Sequence, residues 1–171
     1  MDSATLRATQ SGLKDLYRAN PDAALIRLRA EGSIDDPQNL SCSVQTGRAL
    51  AVAGLHPATG GEGSLACSGD MLLQALVACA GVTLRAVATN SDIAIRGGRI
   101  SAEGDLDFRG TLGVDKEAPV GFKAIRLRFD LEGDIDPMEL ERLHRQTERY
   151  CVVYQTIARG VPVESAFAVR T

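Results

Sequence analysis

The sequence contains few of the residues from which metal and nucleotide sites are usually built. Only two histidines, His56 and His144, occur among its 171 residues, and no two of its four cysteines have C-x-x-C spacing. Neither histidine belongs to a ligand pattern, so we interpret both as surface residues and expect no zinc site. The stretch "GGEGS" has neither the lysine of a phosphate-binding loop nor G-x-G-x-x-G spacing. We expect no bound metal and no bound cofactor.

A basic stripe, a long apolar run and a secretory signal are also missing. The formal net charge is −3, and the arginines are dispersed among acidic residues, so nucleic acid is not an expected partner. The longest uncharged run lies between Asp70 and Arg85 and is shorter than the roughly 18 to 20 residues needed to cross a bilayer. The N-terminus "MDSATLRATQSGLKDLYRAN" has no apolar signal segment. We therefore expect a cytoplasmic protein without a membrane partner, in a reducing compartment where thiols stay free.

Composition and length indicate one folding unit. Hydrophobic residues make up 44% and charged residues 24% of the chain, close to the average for globular proteins. The length suits a single domain. We predict one domain over 1–171, with an N-terminal helix in 1–20 and N-terminal strands in 21–60. The larger part, 68–171, is predicted to contain a central helix, strands, a second helix and a last strand.

Alternation of apolar and polar residues predicts the N-terminal strands. Residues 4–19 have the spacing of an amphipathic helix that Pro21 would end. The segments "ALIRLRAEG" and "LSCSVQTG" each alternate on either side of the turn "IDDPQN", which predicts a hairpin. The segment "RALAVAGL" predicts a third strand, and "HPATGGEGS" has the composition of a loop.

The middle of the chain is predicted to be a helix followed by two strands. From Asp70 to about Asn90 the helix is apolar nearly all round, which is typical of a helix at the centre of a fold. The segment "DIAIRGGRISAEGDLDF" is strand-like with a bend at its two adjacent glycines. In "VGFKAIRLRFDLEG" apolar and charged residues alternate strictly from Ile125 to Leu131, which predicts a half-buried strand.

The second helix has the strongest local start signal in the sequence. Asp136 can cap the first turn, Pro137 suits the first helical position, and Glu139 completes a capping box. Gly160 can end the helix. The apolar stripe between them consists of Leu140, Leu143, Thr147, Tyr150, Cys151, Tyr154 and Ile157. The tail "VPVESAFAVR" predicts a last strand, and the irregular order of helices and strands indicates an α+β fold.

The four cysteines are the remaining candidates for chemistry. A free cysteine on an apolar stripe is by default a packing residue, and we interpret Cys42 and Cys67 in that way. Cys79 and Cys151 lie on the two helices expected at the centre of the fold, so their side chains could face each other. Position alone leaves open whether this pair packs or reacts.

Two cysteine-containing segments agree with one known family in type, order and spacing. The segment "SGDMLLQALVACAGVTL" contains the run L-L-x-A-L-x-A-C, which ends at Cys79, and "ELERLHRQTERYCVVYQTIARGVPV" places Cys151 in the context of a second cysteine. Together they resemble the OsmC/Ohr family of thiol-dependent hydroperoxide reductases, over about residues 68–168. The resemblance implies an OsmC-like fold in which antiparallel sheets wrap around two long central helices of an intertwined homodimer.

The resemblance also implies a reaction. Cys79 would attack a peroxide as a thiolate and become a sulfenic acid, and Cys151 would condense with it to a disulfide. A dithiol such as a lipoylated protein, or another small thiol, would reduce that disulfide. An apolar helix around Cys79 favours organic hydroperoxides as substrates. The chain would then be a peroxiredoxin-like organic hydroperoxide reductase in oxidative stress defence. The alternative is an OsmC-like homodimer without peroxidase activity that binds a small apolar ligand or partner.

The chain departs from the family pattern around both cysteines. Many members have Pro and Glu before the central helix, and the Glu engages an arginine that activates the thiol, whereas this chain has Ser68-Gly69-Asp70. Asp70 is the candidate catalytic acid, and the alternative is a first-turn acid that complements the helix dipole. Ala80 and Val152 stand where an aromatic residue and a proline are common. Arg27 and Arg29 are candidate activating cations by location, although their alternation predicts the solvent-facing side of a strand.

Overall fold

Helices and strands are mixed along the chain, as the sequence predicts for an α+β fold. The computed structural model describes residues 3–33, 43–44 and 53–169. Over these ranges the elements are, in chain order, α1 (Ser3–Ala19), β1 (Leu25–Ser33), β2 (Ser43–Val44), β3 (Ala53–Gly54), β4 (Ala66–Cys67), α2 (Ser68–Asn90), β5 (Gly97–Asp107), α3 (Phe108–Thr111), β6 (Phe122–Glu132), α4 (Pro137–Tyr150) and α5 (Val152–Arg159).

An antiparallel sheet forms one layer of the molecule. Its strand order is β2-β1-β5-β6. The first and second strands pair at Gly32↔Val44, which confirms the predicted hairpin for the residues that the structure describes. The strands β3 and β4 form a separate two-stranded parallel pair. Of the predicted third strand, 48–55, only the last residues lie within the described part, and the remainder of that segment and Cys42 lie outside it.

The two faces of the sheet differ in polarity because its side chains alternate. On β5, Ile100, Ala102 and Leu106 are buried and face the helices. On β6, the apolar residues from Ile125 to Leu131 are half-buried and the charged residues between them are exposed, so the predicted half-buried strand is confirmed. The outer face therefore carries charge and the inner face carries the core.

The helix α2 lies across the inner face and forms the centre of the core. It packs against β1 and β5 on one side and against α4 and α5 on the other. Leu73, Val77 and Ala80 are fully buried, which confirms the predicted central helix. Truncating such a leucine to alanine typically costs about 2–5 kcal/mol of stability. A second stripe on α2, which contains Met71, Leu72 and Val82, stays exposed.

Length and composition alone would allow α2 to cross a membrane. Among the described residues it is the one helix that meets this test, and half of its most apolar window is buried within the molecule. Core helices of soluble proteins meet the same test, because burial in protein and burial in lipid select the same apolar composition.

The second predicted helix is divided into two. Its start is confirmed: Asp136 and Glu139 form the capping box, and Pro137 occupies the first turn. The prediction of one continuous helix to Gly160 is wrong, because α4 ends at Tyr150 and α5 begins at Val152, with Cys151 in extended conformation between them. Two members of the predicted stripe, Leu140 and Tyr150, are exposed.

The predicted last strand is also wrong for the residues that the structure describes. Gly160, with φ 66°, ends α5 as predicted, because glycine adopts positive φ without steric cost. The segment that follows, 161–169, has no strand assignment, and its apolar side chains, among them Val163 and Phe167, are exposed. Alternation gave this segment a strand pattern, but a strand forms only where a neighbouring strand accepts its hydrogen bonds.

Candidate functional site

The two cysteines singled out by the sequence meet between α2 and the junction of α4 and α5. Cys79 lies near the middle of α2 and is half-buried, and Cys151 is 1% exposed. Both are free thiols, and their side chains share a hydrogen bond. A hydrogen bond between the two thiols brings their sulfur atoms together, as the formation of a disulfide between them would require.

The break in the helix at Cys151 shapes the site. Cys151 has φ −72° and ψ 109°, so the chain leaves the helical path for one residue. Its N–H donates to the Thr147 carbonyl at 2.9 Å, and its carbonyl accepts from the Gln155 N–H at 2.9 Å. Its Sγ accepts from the Tyr154 N–H at 3.5 Å. Cys151 therefore ends α4 and caps the first turn of α5.

The N-terminus of α5 points at Cys79. The backbone N–H groups of Val152 and Val153, which no carbonyl within the helix can satisfy, donate to the Cys79 sulfur. The Cys151 thiol and the Thr83 hydroxyl donate to the same atom. The positive end of a helix stabilises an anion, so this arrangement suits a thiolate.

The two thiols have opposite pKa shifts. Burial raises the pKa of Cys79, but the Val153 amide, the Cys151 thiol, the Val152 amide and Thr83 together outweigh it, so that the pKa lies below its ordinary value of 9.0. Burial and the adjacent Cys79 raise the pKa of Cys151 to about 11. Cys79 is thus the thiol that ionises first, and Cys151 holds its proton and donates it as a hydrogen bond.

Asp70, the third predicted site residue, does not meet the cysteine pair in the protomer. It lies in the first turn of α2, nine residues before Cys79, or about 13 Å along the helix axis at 1.5 Å per residue. Burial raises its pKa, and the charge interaction with His56 lowers it. This position matches the alternative interpretation of Asp70 as a first-turn acid that complements the dipole of α2.

The candidate arginines are engaged elsewhere. Arg27 and Arg29 lie on the outer face of the sheet, where they form ion pairs with Asp105 and Glu103 at 3.2 Å each, so their predicted solvent-facing position is confirmed. Arg85 lies on α2 itself, but it is buried on another face of the helix. Its Nη1 donates to the Ile95 carbonyl at 2.8 Å, and its buried Nε and Nη2 have no hydrogen-bond partner. Among the described residues, the principal donors to Cys79 are all neutral.

Cys67 and the two histidines, which the sequence analysis also considered, make local structural contacts. Cys67 is half-buried and precedes α2, where it pairs with Gly54. His56 caps a short 3-10 helix through Nδ1 and stacks on Phe108 at 5.1 Å. His144 is exposed and lies 3.2 Å from Glu148. In the described ranges no three histidine, cysteine or acidic side chains converge as a metal site would require.

A groove of about 810 Å³, here called the α5 groove, lies along α5, and neither Cys79 nor Cys151 is among its lining residues. It lies between α2, β6 and α5, and its apolar walls include Leu72, Leu76, Ile125 and Ile157. Leu76 lies one helical turn before Cys79. The wall of the groove at Leu76 is thus one helical turn from the residue that carries the thiol.

Sequence reasoning missed the groups that surround Cys79. Thr83 follows Cys79 by four residues, the spacing that places two side chains on one helix face. This spacing could have predicted that Thr83 lies beside Cys79. The amides of Val152 and Val153 left no signal of that kind, because the apolar stripe runs through Cys151 and does not mark the break there.

Comparison with known proteins agrees with this architecture. The family model described as OsmC-like protein matches residues 61–166. Among solved structures, an OsmC-like hydroperoxide resistance protein from Jannaschia sp. CCS1 superposes with a TM-score of 0.61 and 13% sequence identity, over 85% of this chain and 95% of that chain. At this identity the likeness shows the fold. No curated protein matches the sequence significantly.

Proposed function

The chain belongs to the OsmC-like family, and from that premise we propose that it is a thiol-dependent peroxidase that reduces organic hydroperoxides in oxidative stress defence. The observation that supports this most strongly is the hydrogen-bonded pair of free thiols at the N-terminus of α5. Packing alone does not require two cysteines in contact with shifted pKa values of opposite sign. A nucleophile and a resolving thiol require the contact, and the nucleophile requires the lowered pKa.

In the first step Cys79 is the nucleophile. Its thiolate attacks the outer oxygen of the hydroperoxide, a sulfur–oxygen bond forms, and the O–O bond breaks. The leaving alkoxide takes a proton and departs as an alcohol, so that Cys79 is oxidised to a sulfenic acid and the peroxide is reduced. The amides of Val152 and Val153 support this step by stabilising the thiolate that starts it.

In the second step Cys151 resolves the sulfenic acid. Its high pKa arises from burial and from the charge and hydrogen bond of Cys79, and the last two contributions disappear once Cys79 is no longer an anion. Cys151 then loses its proton more readily, attacks the Cys79 sulfur and displaces hydroxide, which takes the proton and leaves as water. The contact between the two thiols sets the order in which they ionise, because the Cys79 charge that suppresses ionisation of Cys151 disappears in the first step.

A dithiol outside the chain closes the cycle. Reduction of the Cys79–Cys151 disulfide needs two electrons and two protons, which a lipoyl-type dithiol or another small thiol supplies through exchange. Cys79 is half-buried and Cys151 is buried, so the reductant's first contact is with the Cys79 sulfur. No bound cofactor takes part in this cycle.

The substrate class follows from the α5 groove. Its walls are mostly apolar, with Lys123 and Glu148 also lining it. A hydroperoxide with an alkyl or aryl tail would bury that tail there, at roughly 0.8 kcal/mol for each buried CH₂ group. Hydrogen peroxide would gain none of this, so we expect organic hydroperoxides to react faster.

The proposed assembly is a homodimer in the cytoplasm. The exposed stripe on α2 is apolar at Met71, Leu72 and Val82, which are 37–41% exposed, and a second copy would cover it. Light scattering should give the mass of a dimer, and Val82→Glu should give a monomer because it places a charge in the interface. Thr111→Glu, which is exposed on α3 outside the stripe, is the control. A monomeric wild-type protein would contradict the assembly.

Peroxide titration followed by intact-mass analysis tests the activity. Addition of cumene hydroperoxide to the reduced protein should remove two mass units as the disulfide forms, and both Cys79→Ser and Cys151→Ser should abolish this loss. In Cys151→Ser the sulfenic acid should accumulate on Cys79, since only the attacked thiol carries it. If Cys79→Ser still consumes hydroperoxide at the wild-type rate with dithiol present, the proposed function is wrong.

A second candidate function rests on another cavity. A groove of about 490 Å³ lies between α4 and β6, with Leu84, Phe129, Leu140 and His144 among its lining residues. It would suit a small apolar ligand in a protein without peroxidase activity. This alternative predicts no mass loss with peroxide, together with saturable binding of the fluorescent probe 1-anilinonaphthalene-8-sulfonate that Phe129→Ala weakens and Phe122→Ala, in the α5 groove, does not.

A further inference from the structure

The sulfur of Cys151 contacts the backbone of α5 as well as Cys79. Its Sγ accepts a hydrogen bond from the Tyr154 N–H at 3.5 Å, which makes Cys151 the N-cap of α5. Tyr154 is the third residue of this helix, where an N–H has no carbonyl partner within the helix. Cys151 itself is only 1% exposed. The Tyr154 N–H is therefore a fixed donor to a buried sulfur.

Cysteine is an unusual residue for an N-cap. Serine, threonine, aspartate and asparagine are preferred there, because their side-chain oxygens accept strongly from the amides of the first turn. The neighbouring helix α4 has such a cap in Asp136. A neutral thiol is a weak acceptor and adds little to the stability of α5. A thiolate at the same position accepts a charge-assisted hydrogen bond, roughly twice as strong, at the positive end of a helix.

Burial makes this difference important for the second thiol. A buried thiol ionises with difficulty because the charged form loses its hydration, and burial is the largest cause of the raised pKa of Cys151. Oxidation of Cys79 removes the neighbouring charge but leaves the burial in place. A donor held in position by a helix stabilises the new anion without having to reorient, and the Tyr154 N–H is such a donor.

We propose that the Tyr154 N–H stabilises the Cys151 thiolate as it attacks the Cys79 sulfenic acid, so that residue 154 acts on the resolving step through its main chain. This inference rests on the proposed peroxidase function. In the step, the Cys151 thiolate forms the S–S bond and the S–O bond of Cys79 breaks. The departing hydroxide takes up the proton that Cys151 lost and leaves as water. The attacking charge thus lies on the sulfur that the N–H contacts.

A backbone ester removes this N–H and leaves the side chain in place. Because residue 151 is a cysteine, a synthetic segment 151–171 can be joined to 1–150 by native chemical ligation. The segment carries the α-hydroxy acid of tyrosine at position 154. The matched control carries the α-hydroxy acid of glutamine at 155, since the Gln155 N–H donates to the Cys151 carbonyl at 2.9 Å and not to the sulfur. The ligated protein with an all-amide backbone is the reference.

Alkylation of Cys151 by iodoacetamide measures the role without peroxide. It is followed against pH in Cys79→Ser, which removes the principal titratable neighbour of Cys151. The ester at 154 should raise the midpoint of the Cys151 profile by about one pH unit, or about tenfold in rate below the midpoint, as loss of a hydrogen bond to a charged group predicts. The ester at 155 should leave the midpoint in place. Tyr154→Pro, made by ordinary mutagenesis, also lacks the N–H and should shift the midpoint in the same direction.

Two results would overturn the inference. An unchanged Cys151 midpoint in both the ester at 154 and Tyr154→Pro would show that the N–H does not stabilise the thiolate. Equal shifts in the esters at 154 and 155 would assign the effect to the stability of the first turn of α5, because both esters remove a hydrogen bond there.

Peroxide separates this inference from the proposed function. After one equivalent of cumene hydroperoxide, the Cys79 sulfenic acid, trapped with dimedone, should persist about tenfold longer in the ester at 154 than in the reference. If the wild-type protein consumes no hydroperoxide while the ester shifts the Cys151 midpoint, the peroxidase proposal fails and the donor role of Tyr154 stands. If the reference and the ester at 154 form the disulfide at the same rate, the peroxidase proposal stands and the role of Tyr154 is wrong.

Discussion

The outer face of the sheet and the cysteine site stabilise charge in different ways. On the outer face Asp105 lies 2.6 Å from Arg126 and 3.2 Å from Arg27, and Glu103 lies between Arg27, Arg29 and Arg126. Every principal partner there is a full charge in contact with water. At Cys79 the principal partners are two backbone amides, a thiol and a hydroxyl.

Solvent explains the difference. Exposed ion pairs lose little hydration and gain little energy, so a ladder of them can form wherever a strand alternates. A cation buried beside Cys79 would lose its hydration, a cost that its attraction to the thiolate often fails to offset. The amides at the start of α5 are already oriented and unpaired in the helix, so they stabilise the thiolate without that cost. The Cys79 thiolate is therefore held where a helix begins.

Removing the reactive sulfur should have the largest effect. Cys79→Ser should lower dithiol-dependent turnover of cumene hydroperoxide on the order of a thousandfold, because serine is not ionised at neutral pH and is a far weaker nucleophile. Cys67→Ser, which changes a half-buried cysteine outside the pair, should retain turnover. Equal loss in both variants would assign the effect to stability and not to chemistry.

Removing one amide donor should have the next largest effect. Val152 is the first residue of α5, a position where proline is tolerated because the N–H there has no helical partner. Val152→Pro removes that N–H and should slow Cys79 alkylation roughly tenfold, since hydrogen bonds to charged groups are the stronger ones. Val152→Ala keeps the N–H and should alkylate at nearly the wild-type rate. If both variants behave like wild type, the amide does not stabilise the thiolate.

Neutralising a charge on the outer face should have the smallest effect. Hydrogen bonding to Arg126 holds the pKa of Asp105 well below its ordinary value, so its stabilising contribution is present above the unfolded pKa and is lost as pH falls through the folded one. Asp105→Asn should therefore lower the melting temperature slightly at pH 7, because an exposed ion pair contributes little, and its difference from the wild type should disappear as pH falls. The alkylation rate of Cys79 should not change. A clear change would show that the charges on the outer face of the sheet affect the cysteine site.

Local patterns predicted the parts of the fold that local forces determine. The capping box at Asp136 and Glu139 was visible because its two hydrogen bonds join residues three apart. The apolar composition of α2 predicted its burial, because a helix without a polar face is stable only where most of its surface is removed from water. The pairing of Cys79 with Cys151 was expected only as a family resemblance, and the structure brings the two thiols together.

The sequence patterns predicted the wrong structure where contacts between residues distant in sequence determine it. The apolar stripe continues from Leu140 to Ile157 without interruption, so its spacing does not mark the break that the structure has at Cys151. The alternation in 161–169 describes a strand that would need a neighbour, and the described part of the protomer does not pair with it. Asp70 matched the family by type, but its place in the first turn separates it from Cys79 by nine residues of helix.

The pH dependence of alkylation at both cysteines in the reduced protein, resolved by peptide mass spectrometry, shows most directly whether Cys79 is held as a thiolate. Cys79 should react with a midpoint below its ordinary pKa of 9.0, and Cys151 with a pKa of about 11. In Cys79→Ser the Cys151 midpoint should fall, because the neighbouring charge is gone, while burial keeps it above the ordinary value. A Cys79 midpoint at or above 9.0, or a Cys151 profile that Cys79→Ser leaves in place, would contradict the proposal that Cys79 is held as a thiolate.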